Sequence, residues 1–220
     1  EWYNQKLGIK FPDRKTFFGK KINQLRYGEN PHQKSSIYLS DLKHDQNNLE
    51  QLSGKDLSYN NYNDIFAGLD ILFSEKKLPS TVIIKHANPC GVASNKSSLK
   101  SFINSQLSDP ISAFGGVVVC NYKINSKIAL EINKTFFEVI LAKGFDKKAL
   151  KILKKKKNMR VIDISKISYK SDTTTKIFDN SFLLQEKDKT VFDRKKLKFV
   201  TKIKPTKSEI KDMEFAFKIC

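Results

Sequence analysis

The sequence predicts an α/β fold on a largely parallel sheet, and three observations carry that expectation. Short apolar runs rich in β-branched residues recur at 81–84, 117–120, 139–141 and 161–164. Stretches whose apolar residues follow helical spacing lie between them, and strand–helix–strand alternation calls for crossover helices. The chain has 220 residues, 39% hydrophobic and 11% aromatic, which suffices for the core of one large domain.

Residues 1–16 read as a short helix and a connector turned by Pro12 and Asp13. The segment Leu25–Gln33 has neither strand nor helix period and reads as a structured loop. Ser36–Leu39 reads as a strand and 41–50 as a polar loop. From Asn63 the pattern turns helical, with Ile65, Phe66, Leu69, Ile71, Leu72 and Phe73 apolar, until Glu75-Lys76-Lys77 and Pro79 close it. Thr81–Ile84 has the character of a strand buried on both faces. A helix near 97–107 precedes Asp109-Pro110, and Gly115-Gly116 leads into Val117–Cys120. A helix near 125–134, a strand at Val139–Leu141, a helix at 147–156 and a strand at Val161–Ile164 follow. Lys154–Lys157 read as the solvated end of a helix, 168–180 as a polar loop, and 181–203 as two short strands around a charged turn. Thr206-Lys207-Ser208-Glu209 reads as a capping box opening a last helix with Ile210, Met213 and Phe217 on its apolar face.

The net charge is +18, and 37 of the 41 basic residues are Lys. Phosphate and base-edge recognition favours the forked guanidinium, and only Arg14, Arg26, Arg160 and Arg194 supply one. Lys spread along the chain beside many Asn and Ile reads as a compositional bias, so no specific nucleic-acid partner is expected. A basic nucleic-acid-binding module stays the alternative from another class, and an inactive truncated remnant a third. Three distant cysteines, Cys90, Cys120 and Cys220, form no disulfide framework and point to a reducing, cytoplasmic setting. No run of about 18 apolar residues is present to span a bilayer, so no membrane partner is expected.

In open α/β sheets ligands bind beyond the carboxyl ends of strands. Lys85-His86-Ala87-Asn88-Pro89-Cys90-Gly91 follows the buried strand Thr81–Ile84 there. A Lys beside a dry strand end asks for an anionic partner, and His86 exchanges protons near neutral pH. Pro89 and Gly91 are expected to fix a tight turn. An ordinary strand end with a solvated Lys is the competing reading. Zinc is not expected: the second residue after His86 is Asn88, and Cys90 has no thiol partner three residues on. In the loop 25–33, Arg26 suits a phosphate and Tyr27 a base, unless Arg26 merely pairs with Glu29. Gly115-Gly116 permits close backbone approach to a ligand.

Five blocks, in this order, resemble a known family: LRYGENPHQ (25–33), LSYNNYND (57–64), IIKHANPCGVA (83–93), DPISAFGG (109–116) and FEVILA (137–142). They are similar to the AICAR transformylase domain of the bifunctional purine-biosynthesis family, in which an IMP cyclohydrolase domain comes first. The resemblance implies formyl transfer from 10-formyltetrahydrofolate, as co-substrate, to the amine of AICAR, at a site formed in a homodimer. It places the family's catalytic pair on Lys85 and His86. It places AICAR contacts on Arg26, Tyr27, Gly115 and Glu138, with Asn88 in the catalytic turn. It also implies a zinc-free, cytidine-deaminase-like three-layer sandwich. Residues 1–16 are then expected to be the tail of the cyclohydrolase domain and its linker. Residues 17–220 would be the N-terminal portion of the transformylase domain, incomplete at the C-terminus, where a helix runs to Cys220 without a stop signal. Most folate contacts are expected beyond that point.

Overall fold

The computed structural model describes residues 6–39, 49–74, 78–167, 173–188 and 192–219. The sequence readings at 1–5, 75–77 and Cys220, most of the loop at 41–50 and the start of 168–180 lie outside them.

A six-stranded sheet forms the centre, in the order β3-β8-β7-β6-β4-β5. Its strands are β3 (Glu50–Ser53), β4 (Ser80–Ile84), β5 (Pro89–Ser94), β6 (Val117–Cys120), β7 (Val139–Ala142) and β8 (Arg160–Asp163). The sheet is mixed rather than largely parallel. Strands β6, β7 and β8 run parallel, whereas β4 pairs antiparallel with both β5 and β6, and β3 antiparallel with β8. Apolar runs announce buried strands but carry no direction, so the reversal at β4 has no sequence signature.

Each central strand divides its side chains between two cores. Ile83, Val118, Cys120, Ile140, Ala142 and Val161 face α2 (Ser98–Ser108), α4 (Ser126–Ile132) and α5 (Lys147–Leu153), where Phe102, Ile128, Ile132 and Leu153 are buried. Val82, Ile84, Val117, Val119, Val139, Leu141 and Ile162 face α1 (Tyr59–Ser74) through Ile65, Leu69 and Leu72. Period-2 alternation inside wholly apolar runs is what a strand covered by helices on both sides requires. Helix α1 begins four residues before Asn63, and Phe66 turns away from the core and is 54% exposed.

Strand β5 was not evident in the sequence. Pro89 stands at the first position of an edge strand, where its missing N–H costs no ladder bond. Gly91 forms no turn. A Cβ there would lie 1.9 Å from the Ser105 carbonyl oxygen, so Gly91 lets β5 lie against α2. Lys156 is likewise not a simply solvated residue. Its Nζ donates to the carbonyls of Asn133 (2.8 Å) and Thr135 (2.7 Å), and burial lowers its pKa.

Two hairpins lie outside the central sheet. Strands β1 (Lys20–Leu25) and β2 (Ser35–Leu39) enclose the 25–33 loop. Strands β9 (Thr173–Phe178) and β10 (Ser181–Glu186) occupy part of the expected 168–180 loop, and Phe182 of β10 meets Phe17 edge-on at 4.8 Å. Among the described residues of 181–203, which exclude 189–191, a 3-10 turn, Arg194–Lys196, stands in place of the expected second strand. Between α2 and β6 lies the short α3 (Pro110–Ala113), and α6 (Lys207–Ile219) ends the described chain. Its capping box forms as expected: the Thr206 N–H donates to Glu209 Oε2 (2.6 Å) and the Glu209 N–H to Thr206 Oγ1 (3.3 Å). Among the described residues no helix is long and apolar enough to cross a membrane.

Candidate functional site

The register of the sheet aligns Ile84, Val117, Val139 and Arg160 in one row. The row lies at the carboxyl end of β4 but at the amino ends of β6, β7 and β8, because β4 runs against β6. Lys85 follows the first member, Gly115-Gly116 precedes the second and Glu138 precedes the third. The expectation of a site beyond strand carboxyl ends therefore holds for β4 alone.

Lys85–Asn88 is the turn of the β4–β5 hairpin, closed by the Lys85 N–H donating to the Asn88 carbonyl at 2.9 Å. Its central residues, His86 and Ala87, have φ of 44° and 57°. Two positive φ values suit the twist of a tight hairpin, but neither residue is Gly or Asn. Left-handed backbone costs roughly 1–2 kcal/mol at each such residue. Two hydrogen bonds oppose that cost. The Ala87 N–H donates to Asp64 Oδ1 at 2.7 Å, and Asn88 Nδ2 donates to the His86 carbonyl at 2.9 Å. A bond to a carboxylate contributes about 1.5–3 kcal/mol, comparable to the strain. Uncommon backbone conformations held in this way concentrate at functional sites.

Lys85 Nζ donates to the Phe114 carbonyl at 2.6 Å. Its neighbour Gly115 has φ +77°, and a Cβ built there would come within 3.8 Å of that Nζ. Where an anion was anticipated for Lys85 the structure places a neutral carbonyl dipole, which orients the ammonium without neutralising it. Lys85, His86 and Asn88 line a cleft of about 410 Å³ with Pro89, Cys90, Asp109 and Ser112. Burial raises the Cys90 thiol above its ordinary pKa, Asp109 adds to this, and Lys85 opposes it.

Glu138 sits between a neutral donor and a cation. Asn61 Nδ2 donates to its Oε2 at 3.0 Å, and Arg160 Nη1 lies 3.7 Å from the same oxygen. The Arg160 side chain is only 14% exposed and also donates to the Asp56 carbonyl, at 3.3 Å from Nε and 3.2 Å from Nη2. Asn61 has a second task. Its Oδ1 accepts from the Ser58 N–H (3.1 Å) while Ser58 Oγ accepts from the Asn61 N–H (3.2 Å), a reciprocal cap that opens α1. Asp64 lies one turn further along the helix. Burial raises its carboxyl above the ordinary pKa, the Ala87 N–H and the His86 charge pull it down, and Glu138 pushes it up again.

Arg26 and Tyr27 open the loop between β1 and β2. Arg26 does not pair with Glu29: its Nη2 donates to the Tyr27 hydroxyl at 2.9 Å, and its guanidinium lies 4.6 Å from the Tyr27 ring centroid. The loop reaches α1 through Asn60 Nδ2, which donates to the Glu29 carbonyl at 3.1 Å. Lys85, His86, Asn88 and Gly115 therefore lie together. Glu138 meets α1 at Asn61, and the loop that carries Arg26 and Tyr27 meets the same turn of α1 at Asn60.

A family model described as the AICARFT/IMPCHase bienzyme matches residues 1–220. The chain belongs to this family. It is 42% identical over 216 residues to the bifunctional purine biosynthesis protein PurH of Thermoanaerobacter sp. (strain X514), covering 98% of this chain and 42% of that protein. It is 39% identical over 226 residues to PurH of Parvibaculum lavamentivorans, covering 100% of this chain and 42% of the relative. The chain thus spans about two-fifths of the length of these relatives. As a member of the AICARFT/IMPCHase family it has a mixed α/β domain around a central mixed sheet. The structure also brings Asn61, Asp64 and Arg160 to this candidate site, which the sequence reading does not single out. Asn61 and Asp64 share the spacing i, i+3 within the block 57–64, which was the available signal. Arg160 offered only the scarcity of Arg.

Proposed function

We propose that this chain is the catalytic portion of an AICAR formyltransferase that draws its formyl group from 10-formyltetrahydrofolate, within a parent protein that also carries IMP cyclohydrolase. In this reading the AICAR amine attacks the formyl carbon, the new C–N bond forms, and the bond from that carbon to folate N10 breaks. The amine's proton passes to His86, and N10 takes up a proton as it leaves. The amine is conjugated into its ring and is a poor nucleophile, so it needs a base placed to take its proton as it attacks. Lys85, oriented by the Phe114 carbonyl, stabilises the negative charge that develops on the formyl oxygen. Arg26 holds the phosphate and Tyr27 flanks the nucleotide, while Glu138 accepts a substrate hydrogen bond. Gly115 leaves room for the substrate beside Lys85, and Asn88 steadies the turn and faces the carboxamide.

One observation carries the reading. A Lys-His pair occupies a strained turn braced from another element, with the lysine ammonium beside a glycine, in a chain of this family. We extend it to a cytidine-deaminase-like sandwich, with 1–16 as the cyclohydrolase tail and linker and 17–220 as transformylase. A cytoplasmic homodimer completes the proposal. The test is formyl transfer by the full-length protein. Saturable, AICAR-dependent production of tetrahydrofolate is expected, and its absence in a folded, dimeric preparation overturns the assignment.

A further inference from the structure

We propose that Asp64 is a positioning residue of this site, its carboxylate holding the Lys85–Asn88 turn in the left-handed conformation that sets His86 in the cleft. The inference rests on the formyltransferase reading and gives a role to a residue that takes no part in that reading's chemical steps.

Asp64 lies on α1, packed on one face of the sheet, while the turn closes the β4–β5 hairpin. Asp64 Oδ1 accepts the N–H of Ala87, the residue directly after His86, at 2.7 Å. That bond joins the helix to the middle of the turn, where φ is positive at two successive non-glycine residues. A hairpin turn left to itself relaxes toward backbone that L-residues prefer, and doing so would swing His86 relative to Lys85. Lys85 is fixed independently, through Phe114. Without Asp64 the ammonium therefore stays in place while the imidazole moves. The carboxylate is half-buried, and burial opposes its charge. Keeping an ionised group there is unfavourable by itself, which is consistent with an acceptor retained for the turn. Asp64 makes no hydrogen bond to Lys85 or His86; it acts on His86 through the Ala87 N–H and, through space, by the attraction between the two charges, and Asp64→Asn, which keeps the acceptor and removes the charge, separates the two.

The test uses the full-length protein with AICAR and 10-formyltetrahydrofolate, and His86→Ala as the reference. Asp64→Ala is expected to lower kcat by about 10²-fold, the loss that a shift near 1 Å brings. The AICAR KM should stay within a few-fold. Asp64→Asn keeps an acceptor at Oδ1 and should hold kcat within about fivefold. Ala87→Gly placed in the Asp64→Ala background should recover at least tenfold, because glycine takes positive φ freely. A general packing defect would not be repaired by a glycine in the turn. Near-normal kcat in Asp64→Ala alongside a dead His86→Ala overturns the positioning role and leaves the functional reading standing. An active His86→Ala overturns both. If Asp64→Ala does not fold, the isosteric Asp64→Asn decides, and a folded Asn variant that loses 10²-fold refutes the acceptor role.

Discussion

Gly91→Ala tests how the site is anchored. A Cβ at this position would lie 1.9 Å from the Ser105 carbonyl oxygen and 2.9 Å from its carbon, some 1.5 Å short of ordinary contact. The obstacle is the backbone of α2, and no side chain can rotate out of the way. Either β5 must lift from α2 or α2 must move away from a core that includes Phe102, which is fully buried. Overpacking of this kind costs about 3 kcal/mol, the upper end of the usual range. For a domain of this size that lowers Tm by roughly 6–12 °C. Gly115→Ala supplies the contrast. Its φ of +77° makes alanine strained by about 1 kcal/mol, but its nearest neighbour is a lysine tip at 3.8 Å. Thermal and urea denaturation followed by far-UV circular dichroism should rank Gly91→Ala well below Gly115→Ala. Because β5 continues directly from the Lys85–Asn88 turn, turnover should fall with stability, by about 10²-fold for a shift near 1 Å. A Gly91→Ala protein as stable as the unsubstituted one would refute the close approach of β5 to α2.

Two further outcomes follow from the same structure. Burial pushes the Cys120 thiol up to about 11 from 9.0, and burial raises the neighbouring Tyr122 hydroxyl as well. The fold holds the neutral thiol, so its contribution is complete below pH 9 and disappears as pH rises toward 11, about 3 kcal/mol in all. The stability gap between the unsubstituted protein and Cys120→Ala should therefore narrow in urea melts between pH 8.5 and 10.5, and a gap independent of pH would contradict the burial argument. Arg26→Ala should raise the AICAR KM at least tenfold with kcat nearly unchanged, since a phosphate remote from the amine is bound alike in ground and transition states. A collapsed kcat at unchanged KM would give Arg26 a different role.

The sequence was most informative where one physical demand dominated. Strands β4, β6, β7 and β8 were legible because a strand covered on both faces must be apolar throughout, and VVVC and VILA satisfy this. Strand β5 was not, because PCGVAS joins a proline tolerated only at an edge to a glycine required by a neighbouring helix. Strand β9 hid among threonines and a lysine that are mostly exposed. The capping box at Thr206 was legible because both partners lie within four residues. The same locality explains the site. Lys85 and His86 stood out as basic residues against a dry strand. Asp64 did not, because its partner is a backbone N–H 23 positions away, and no side-chain pattern encodes that.

The central claim is that His86 takes the proton from the attacking amine, and His86→Ala in the full-length protein tests it most directly. Steady-state formyl transfer should fall by about 10²–10⁴-fold, while AICAR binding measured by calorimetry stays within a few-fold. A His86→Ala protein that binds AICAR and turns over at near-normal rates would contradict the account.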